Sequence, residues 1–275
     1  MVDLHSHSTA SDGRLSPTAL VDLAASRGLK ALALTDHDTV AGLSEARVAC
    51  QAKGLRFIPG IELEVESETG EFHLLGLGLA QWETGWVAGL DEFQAIREER
   101  NRRIFRKMTE AGIRGDYTEV KELARGGQVG RPHFAQFLVN RGKVETVQAA
   151  FDQFLGRGQL LYEKKASLPL SRAIELVHAA GGLAILAHPM TLQLKFPALE
   201  EKLGVWKSLG LDGLEAWHPG AEPRHCRRLE TLAARWGLKV SAGSDFHGEN
   251  RPGRNLGLTA GAKPIPDEVL ELLWG

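Results

Sequence analysis

Residues 29–38 read Leu29-Lys30-Ala31-Leu32-Ala33-Leu34-Thr35-Asp36-His37-Asp38, an apolar run that ends abruptly in two acids and an imidazole. The run is too short for a helix, and Gly28 closes whatever precedes it, so Leu29 to Thr35 reads as a buried strand. Working outward, Ser16-Pro17 supplies an N-cap and a first-turn proline for a helix ending at Arg27, and Val2 to His7 reads as a short strand before it. On the other side, a helix from about Val40 to Lys53 stops at Gly54. Apolar strands follow from Arg56 to about Ile61 and from Phe72 to Leu79. Similar units return after residue 166: a helix Ser171 to Ala180, strands Leu183 to Ala187 and Gly213 to Ala216, a helix Arg224 to Trp236 and a strand Lys239 to Ala242. Alternating strands and helices favour an α/β fold with a parallel sheet or barrel.

The alternation is interrupted from about Asp91 to Lys165, where helical periodicity dominates. Phe93, Ile96, Ile104 and Met108 give one helix an apolar side. Phe134, Phe137 and Leu138, then Phe151, Phe154 and Leu155, suggest two more, with a break at Gly126-Gly127. The expected division is a barrel of residues 1–90 and 166–275 with a helical cap, 91–165, inserted into it. The cap is basic: Arg97 to Lys165 carries a charge of +6 and the remainder −8, hidden in a formal net charge of −2. By itself a basic segment reads as solvated helix faces.

The composition, 43% hydrophobic and 25% charged over 275 residues, excludes disordered and collagenous chains and allows a large core. Two cysteines, Cys50 and Cys226, can build neither a disulfide framework nor a Cys-rich zinc module, which suits a reducing compartment. The start, Met1-Val2-Asp3-Leu4-His5, has no signal-peptide pattern, and no apolar run approaches the ~20 residues of a membrane helix. A cytoplasmic location with no membrane partner is expected. Nothing marks a DNA-binding module or an oligomeric state.

Ten histidines against two cysteines and two tyrosines is the unusual count. His5 and His7 end the first strand and, by alternation, face the same way. Asp12 follows in the loop, His37 closes the second strand, Glu62 follows the third, His73 lies in the next, His188 ends a later strand, and Asp245 and His247 end the last. Any one of these histidines alone reads as a structural residue. Six histidines and three acids after five or more strands of an apparent barrel converge where such barrels host active sites. Divalent cations make such a cluster favourable, and nitrogen and oxygen donors without thiolate suit manganese, iron or zinc. Asp3 is placed to hydrogen-bond a ligand imidazole, Asp38 either stands by the cluster or caps the following helix, and neither is counted among the ligands.

The motifs DLHSHS (3–8), SDG (11–13), LTDHDT (34–39), GIE (60–62), EFHLLG (71–76), AHP (187–189) and GSDFHG (243–248) resemble, in order, those of the polymerase and histidinol phosphatase (PHP) family of metal-dependent phosphoesterases. The resemblance implies a distorted (β/α)7 barrel holding two or three ions. A first ion would sit on His5, His7, Glu62 and Asp245. Glu62 would bridge to a second on His73 and His188, and a third would take Asp12, His37 and His247. Asp12 and His247 are also placed as groups assisting the leaving group, with a metal-bridging hydroxide as nucleophile.

Arg97-Glu98-Glu99-Arg100-Asn101 resembles the R-x-x-R opening of the inserted domain in one branch of that family, and Gly130-Arg131-Pro132-His133 and Tyr162-Glu163-Lys164 resemble its later motifs. That branch includes nucleoside 3′,5′-bisphosphate phosphatases and the RNase AM type of 5′ to 3′ exoribonuclease. It implies Arg97, Arg100, Asn101, Arg131, His133 and Lys164 as contacts to a small anionic nucleotide, with short RNA as a further substrate. Gly220-Ala221-Glu222 departs from a His-Ser pattern of many relatives; His218 either compensates or packs against Trp217. His178 and His225 read as ordinary helix residues. Rival readings are a histidinol-phosphate phosphatase or other small phosphomonoesterase, a non-catalytic metal-stabilised nucleic-acid-binding domain, and an RNA-binding protein. The last lacks interleaved stacking aromatics.

Overall fold

The computed structural model of the chain describes residues 1–83, 87–124, 127–164 and 167–275. Two compact units divide it: Met1–Gly89 together with Ser167–Gly275, and Leu90–Ala166. In chain order, β1 (Val2–Asp3), α1 (Pro17–Ser26), β2 (Ala31–Leu34), α2 (Leu43–Lys53), β3 (Arg56–Val65) and β4 (Phe72–Leu77) come first. The helices α3 (Val87–Glu110), α4 (Tyr117–Leu123), α5 (Arg131–Asn140) and α6 (Val147–Ala150) follow. The first unit then resumes with α7 (Leu170–Ala179), β5 (Leu183–Leu186), α8 (Phe196–Ser208), β6 (Gly213–Trp217), α9 (Pro223–Trp236) and β7 (Lys239–Ala242). A hairpin of β8 (Leu258–Thr259) and β9 (Lys263–Pro264) and the helix α10 (Val269–Trp274) end the chain.

Strands β1 to β7 lie side by side in sequence order. The pairs β1–β2, β2–β3, β5–β6 and β6–β7 are parallel, whereas β4 is antiparallel to both neighbours. A uniformly parallel sheet is therefore not what forms. Residues 66–71, the link between β3 and β4, are too few for a crossover, which needs a dozen or more, so the two strands can only make a hairpin. The sheet nearly closes into a barrel at the β1–β7 seam. There the His7 N–H donates to the Phe246 carbonyl (2.9 Å) and the Asp245 N–H to the His5 carbonyl (2.8 Å), around a bridge between Ser6 and Phe246.

β1 is shorter than the Val2 to His7 expected, because pairing with β2 stops at Asp3. The buried Asp3 carboxylate accepts the backbone N–H groups of His5 (3.2 Å), Ser244 (3.0 Å) and Gly257 (2.7 Å). It binds the backbone of the seam, not a ligand imidazole. Asp38 does not cap α2, which starts at Leu43 behind Gly42; its Oδ1 accepts the Glu64 N–H (3.0 Å) and so ties β3 to the end of β2.

Helix ends follow the local chemistry. Ser16 accepts the Ala19 N–H at 3.2 Å, and Gly54 ends α2 at φ 68°. Leu199, Leu203 and Trp206 recur at helical spacing and are buried in α8, an element with no counterpart among the sequence expectations. Val2, Ala31, Leu77, Ile185, Val269 and Leu273 share one core, so α10 packs onto the barrel interior at the end where β1, β2 and β5 begin.

The helical unit has its own core of Ile104, Met108, Val120, Phe134, Phe137, Leu138 and Leu155. Ile96 is 44% exposed, which makes the apolar stripe of α3 narrower than its sequence suggests. Phe151 to Leu155 form a single π-helical turn. Gly126 of the expected break lies outside the described residues. Among the described residues no helix is long and apolar enough to cross a membrane.

Candidate metal centre

The ends of the barrel strands bring the nine residues together. His5 and His7 follow β1, Asp12 lies in the next loop, His37 follows β2, Glu62 is in β3, His188 follows β5, and Asp245 and His247 follow β7. His73 is the second residue of β4. Because that strand runs in reverse, its beginning lies at the end where the parallel strands finish. Asp38, His188 and Asp245 have φ of 54°, 26° and 50°, a region L-residues avoid at a cost of about 1–3 kcal/mol each, so the strand ends turn sharply at the cluster. Gly243 permits the closest approach: a Cβ there would lie 2.2 Å from the Cβ of His5 and 2.8 Å from Glu215 Oε1.

Glu62 is the fork of the site. Its Oε2 lies 3.3 Å from His5 Nε2, 3.2 Å from His7 Nε2 and 3.1 Å from His37 Nδ1. Its Oε1 lies 2.9 Å from His73 Nδ1 and 2.8 Å from His188 Nε2. Asp245 Oδ1 completes one group, 3.4 Å from His5 Nε2 and 3.2 Å from His7 Nε2. Asp12 Oδ1 gathers another, at 3.2 Å from His247 Nε2, 3.8 Å from His7 Nδ1 and 3.9 Å from His37 Nε2. Three overlapping sets have ligand atoms all within 4.8 Å of one another: His5, His7, Glu62 and Asp245; His7, Asp12, His37 and His247; and His37, Glu62 and His73. His7 and His37 thus each stand in two sets.

Buried polar atoms are normally paired. Here His5 Nε2, both ring nitrogens of His7, Glu62 Oε2, Asp245 Oδ1 and His247 Nε2 are buried without a hydrogen-bond partner. All of them face the same interior points. Unpaired lone pairs converging in a desolvated basin are costly unless a cation fills it, and the donor set of imidazoles and carboxylates fits divalent ions.

Four of the six imidazoles are aimed by a partner on the far side. His5 Nδ1 donates to Glu215 Oε1 (3.0 Å), His73 Nε2 to Glu64 Oε2 (3.0 Å), His188 Nδ1 to Thr191 Oγ1 (2.8 Å) and His247 Nδ1 to the Asp245 carbonyl (2.8 Å). In each case the other nitrogen is left facing the cluster. Asp36, buried beside His37, accepts from Ser8 N–H (2.8 Å), Ser8 Oγ (2.6 Å) and Ser11 Oγ (2.6 Å), which fixes the loop that carries Asp12.

The electrostatics follow from burial and crowding. Burial opposes protonation of His5 and His73, but Glu62 with Glu215 on one and Glu64 with Glu62 on the other outweigh it and push both up to about 10. Burial pulls His188 down to about 3 and His247 to about 4. Burial would raise Glu62 and Asp12, yet the surrounding imidazoles hold both well below the usual carboxylate range.

Glu64, Glu215, Thr191, Arg251 and Arg254 were not expected in this neighbourhood. A signal existed for Glu64, which alternation puts on the same face as Glu62 and which pairs across the hairpin with His73. An acid inside the buried strand β6 was the corresponding signal for Glu215. His218 is buried, with Nε2 3.3 Å from Asp245 Oδ2. His178 lies outside the cluster, 2.8 Å from Asp212.

In the helical unit, Arg97 Nε (3.5 Å) and Asn101 Nδ2 (2.9 Å) donate to the Val129 carbonyl, and His133 Nδ1 accepts the Gly130 N–H (2.9 Å) at the start of α5. Arg131 lies over the Phe151 ring at 5.9 Å. Arg100 is buried and Lys164 exposed. Arg97, Asn101 and His133 thus gather at the Val129–Gly130 turn.

A seven-stranded α/β barrel with imidazoles and carboxylates collected at one end defines a metal-dependent hydrolytic centre. The PHP domain model matches residues 3–178, and the chain belongs to that family. It is 39% identical over 266 residues to a 5′-3′ exoribonuclease of Haemophilus influenzae, covering 96% of this chain and 97% of the relative. It is 34% identical over 265 residues to a 3′,5′-nucleoside bisphosphate phosphatase of Chromobacterium violaceum, covering 96% and 93%. Among solved structures, an amidohydrolase from Chromobacterium violaceum with bound sulfate and no metal superimposes with a TM-score of 0.83 at 32% identity, over 98% of this chain and 95% of the other. A candidate metal-dependent phosphoesterase from Bifidobacterium adolescentis gives 0.85 at 31%, over 99% and 94%.

Proposed function

We propose that this protein is a metal-dependent phosphoesterase that removes the 3′-phosphate of nucleoside 3′,5′-bisphosphates, giving the 5′-monophosphate, and also shortens RNA from its 5′ end. The observation that carries the reading is the set of buried, unpartnered ligand atoms around Glu62. The near full-length relatives, a bisphosphate phosphatase and an exoribonuclease, narrow it to nucleotide substrates.

His5, His7, Glu62 and Asp245 would hold one ion, Glu62 with His73 and His188 a second, and Asp12, His37 and His247 a third, with manganese, iron and zinc all suited to the donors. Such ions supply an activated water at neutral pH and neutralise charge on the phosphoryl oxygens. His247 donates through Nδ1 to a carbonyl, so its Nε2 carries a lone pair, and Asp12 beside it is ionised. A lone pair that holds an ion cannot also take a proton, so His247 or Asp12 assists a departing oxygen only through an atom that is not ligating and has first taken up a proton. The helical unit's Arg97, Arg100, Asn101, Arg131, His133 and Lys164 are assigned to the substrate anion; guanidinium forks suit phosphate.

The test is release of phosphate from adenosine 3′,5′-bisphosphate and shortening of a 5′-phosphorylated oligoribonucleotide, with Mn²⁺ and with chelator. The ratio of the two turnovers separates mononucleotide from RNA preference. Inactivity on both substrates overturns the proposal.

A further inference from the structure

Asp245 presents its two oxygens to different neighbourhoods. Oδ1 faces His5, His7 and His247 at 3.4, 3.2 and 3.3 Å. Around Oδ2 stand Arg251 Nη1 at 3.1 Å, His218 Nε2 at 3.3 Å and Arg254 Nη1, which also reaches the Asp245 carbonyl at 3.4 Å. Two permanent cations thus share one carboxylate oxygen. The two guanidinium groups carry more N–H donors than one carboxylate oxygen can accept, which leaves donors over at the edge of the cluster with or without an ion.

Arg254 opens on a cavity of about 110 Å³, lined also by His188, Thr191, His218 and Ala221. That is enough for a tetrahedral oxyanion. Glu215 borders it, but its oxygens are engaged by His5 Nδ1 and by the His188 N–H (2.8 Å). The departure at Gly220-Ala221 helps form this cavity. The Gly220 N–H donates to His218 Nδ1 (3.0 Å), which aims Nε2 at Asp245, and a Cβ on Gly220 would lie 3.0 Å from the imidazole.

We propose that Arg251 and Arg254, with the cavity beside His188 and His218, form an oxyanion subsite that takes the phosphoryl group and retains inorganic phosphate after hydrolysis. The assignment rests on the phosphoesterase reading. It places phosphate recognition on the barrel unit itself, through guanidinium donors suited to two phosphate oxygens.

The experiment is calorimetric titration of inorganic phosphate into the full chain stripped of metal by chelator. Wild type should bind phosphate, Arg254→Met should weaken binding at least tenfold, and Arg251→Met about threefold. Arg235→Met, on α9 and paired with Glu200, should leave it unchanged. If Arg254→Met lowers the unfolding temperature but leaves phosphate affinity intact, the arginines are only counter-ions to Asp245 and the proposal is overturned; it is equally overturned if wild type does not bind. Should Arg254→Met not fold, Arg254→Lys replaces it, with the inhibition constant of phosphate in the Mn²⁺-loaded enzyme as readout. That constant should rise severalfold, and an unchanged value refutes the subsite. Failure of the phosphoesterase reading looks different: phosphate still binds the stripped protein, but wild type with Mn²⁺ hydrolyses nothing.

Discussion

Replacing Glu215 by glutamine changes one buried atom and disturbs two of the proposed ligands. The carboxylate accepts from His5 Nδ1 at 3.0 Å with Oε1 and from the His188 N–H at 2.8 Å with Oε2. Glutamine has one acceptor oxygen. If that oxygen stays on His188, the amide NH2 faces His5 Nδ1, which must become an acceptor, so the single proton of the neutral imidazole that could bind an ion sits on Nε2. An N–H then points between Glu62 Oε2 and Asp245 Oδ1, at 3.3 and 3.4 Å, where a lone pair is needed. If the amide flips, two donors oppose each other at His188 and a buried N–H goes unpaired, costing about 1–3 kcal/mol. Either way, losing the partner that orients a ligand weakens metal binding about 10–100-fold, which is about 1.4–2.8 kcal/mol. Calorimetric titration of Mn²⁺ into wild type and Glu215→Gln, with circular dichroism to establish that both are folded, measures it. Affinities within twofold of each other would refute the claim that Glu215 sets the His5 tautomer.

Gly243→Ala should cost more than a typical glycine substitution, because its Cβ falls 2.2 Å from that of His5; we expect at least a hundredfold loss of phosphate release, and a variant as active as wild type would show that the seam yields. His37→Ala should abolish hydrolysis while leaving the far-ultraviolet dichroism unchanged, since its side chain is at the mouth of the cluster and not in the apolar core. His5 and His73, both pushed up to about 10, hold protons at pH 7 when no ion is bound. Their stabilisation of the metal-free fold is complete below about 6.5 and lost as pH rises towards 10, so the unfolding temperature of stripped protein should fall over that interval. Cation binding at pH 7 must displace those protons, and titrations in buffers of different ionisation enthalpy should give different heats; equal heats would contradict it. Arg131→Ala should raise KM for a bisphosphate at least tenfold, and an unchanged KM removes that residue from substrate binding.

The clustered residues could be singled out in the chain because most of them follow a strand whose apolar run is visible, as at Leu29 to Thr35 before His37. What could not be read was set by contacts distant in sequence. Glu215 lies 210 residues from His5, and only the folded sheet brings it under that imidazole. Asp3 looked like a partner for an imidazole because alternation puts it in phase with His5, but early loss of strand pairing turns it to three backbone amides. The direction of β4 was decidable from the short link before it, yet strand and helix alternation elsewhere argued for a parallel neighbour. Arg251 and Arg254 follow β7 in a stretch without apolar periodicity, and only their convergence on Asp245 marks them.

The β1–β7 seam has a mechanical consequence. Its hydrogen bonds join the backbones of His5 and His7 to those of Asp245 and Phe246, and His5, His7 and Asp245 also belong, with Glu62, to the first candidate ligand group. An ion, if held there, would tie the two ends of the barrel, closing a loop of about 240 residues much as a covalent staple would, and a staple across so long a loop is worth about 5 kcal/mol through the entropy it removes from the unfolded chain. Stripped of the ion, the barrel should unzip first along this line. Faster hydrogen exchange at the amides of His7 and Asp245, ahead of the β2–β3 ladder, would record the loosened closure.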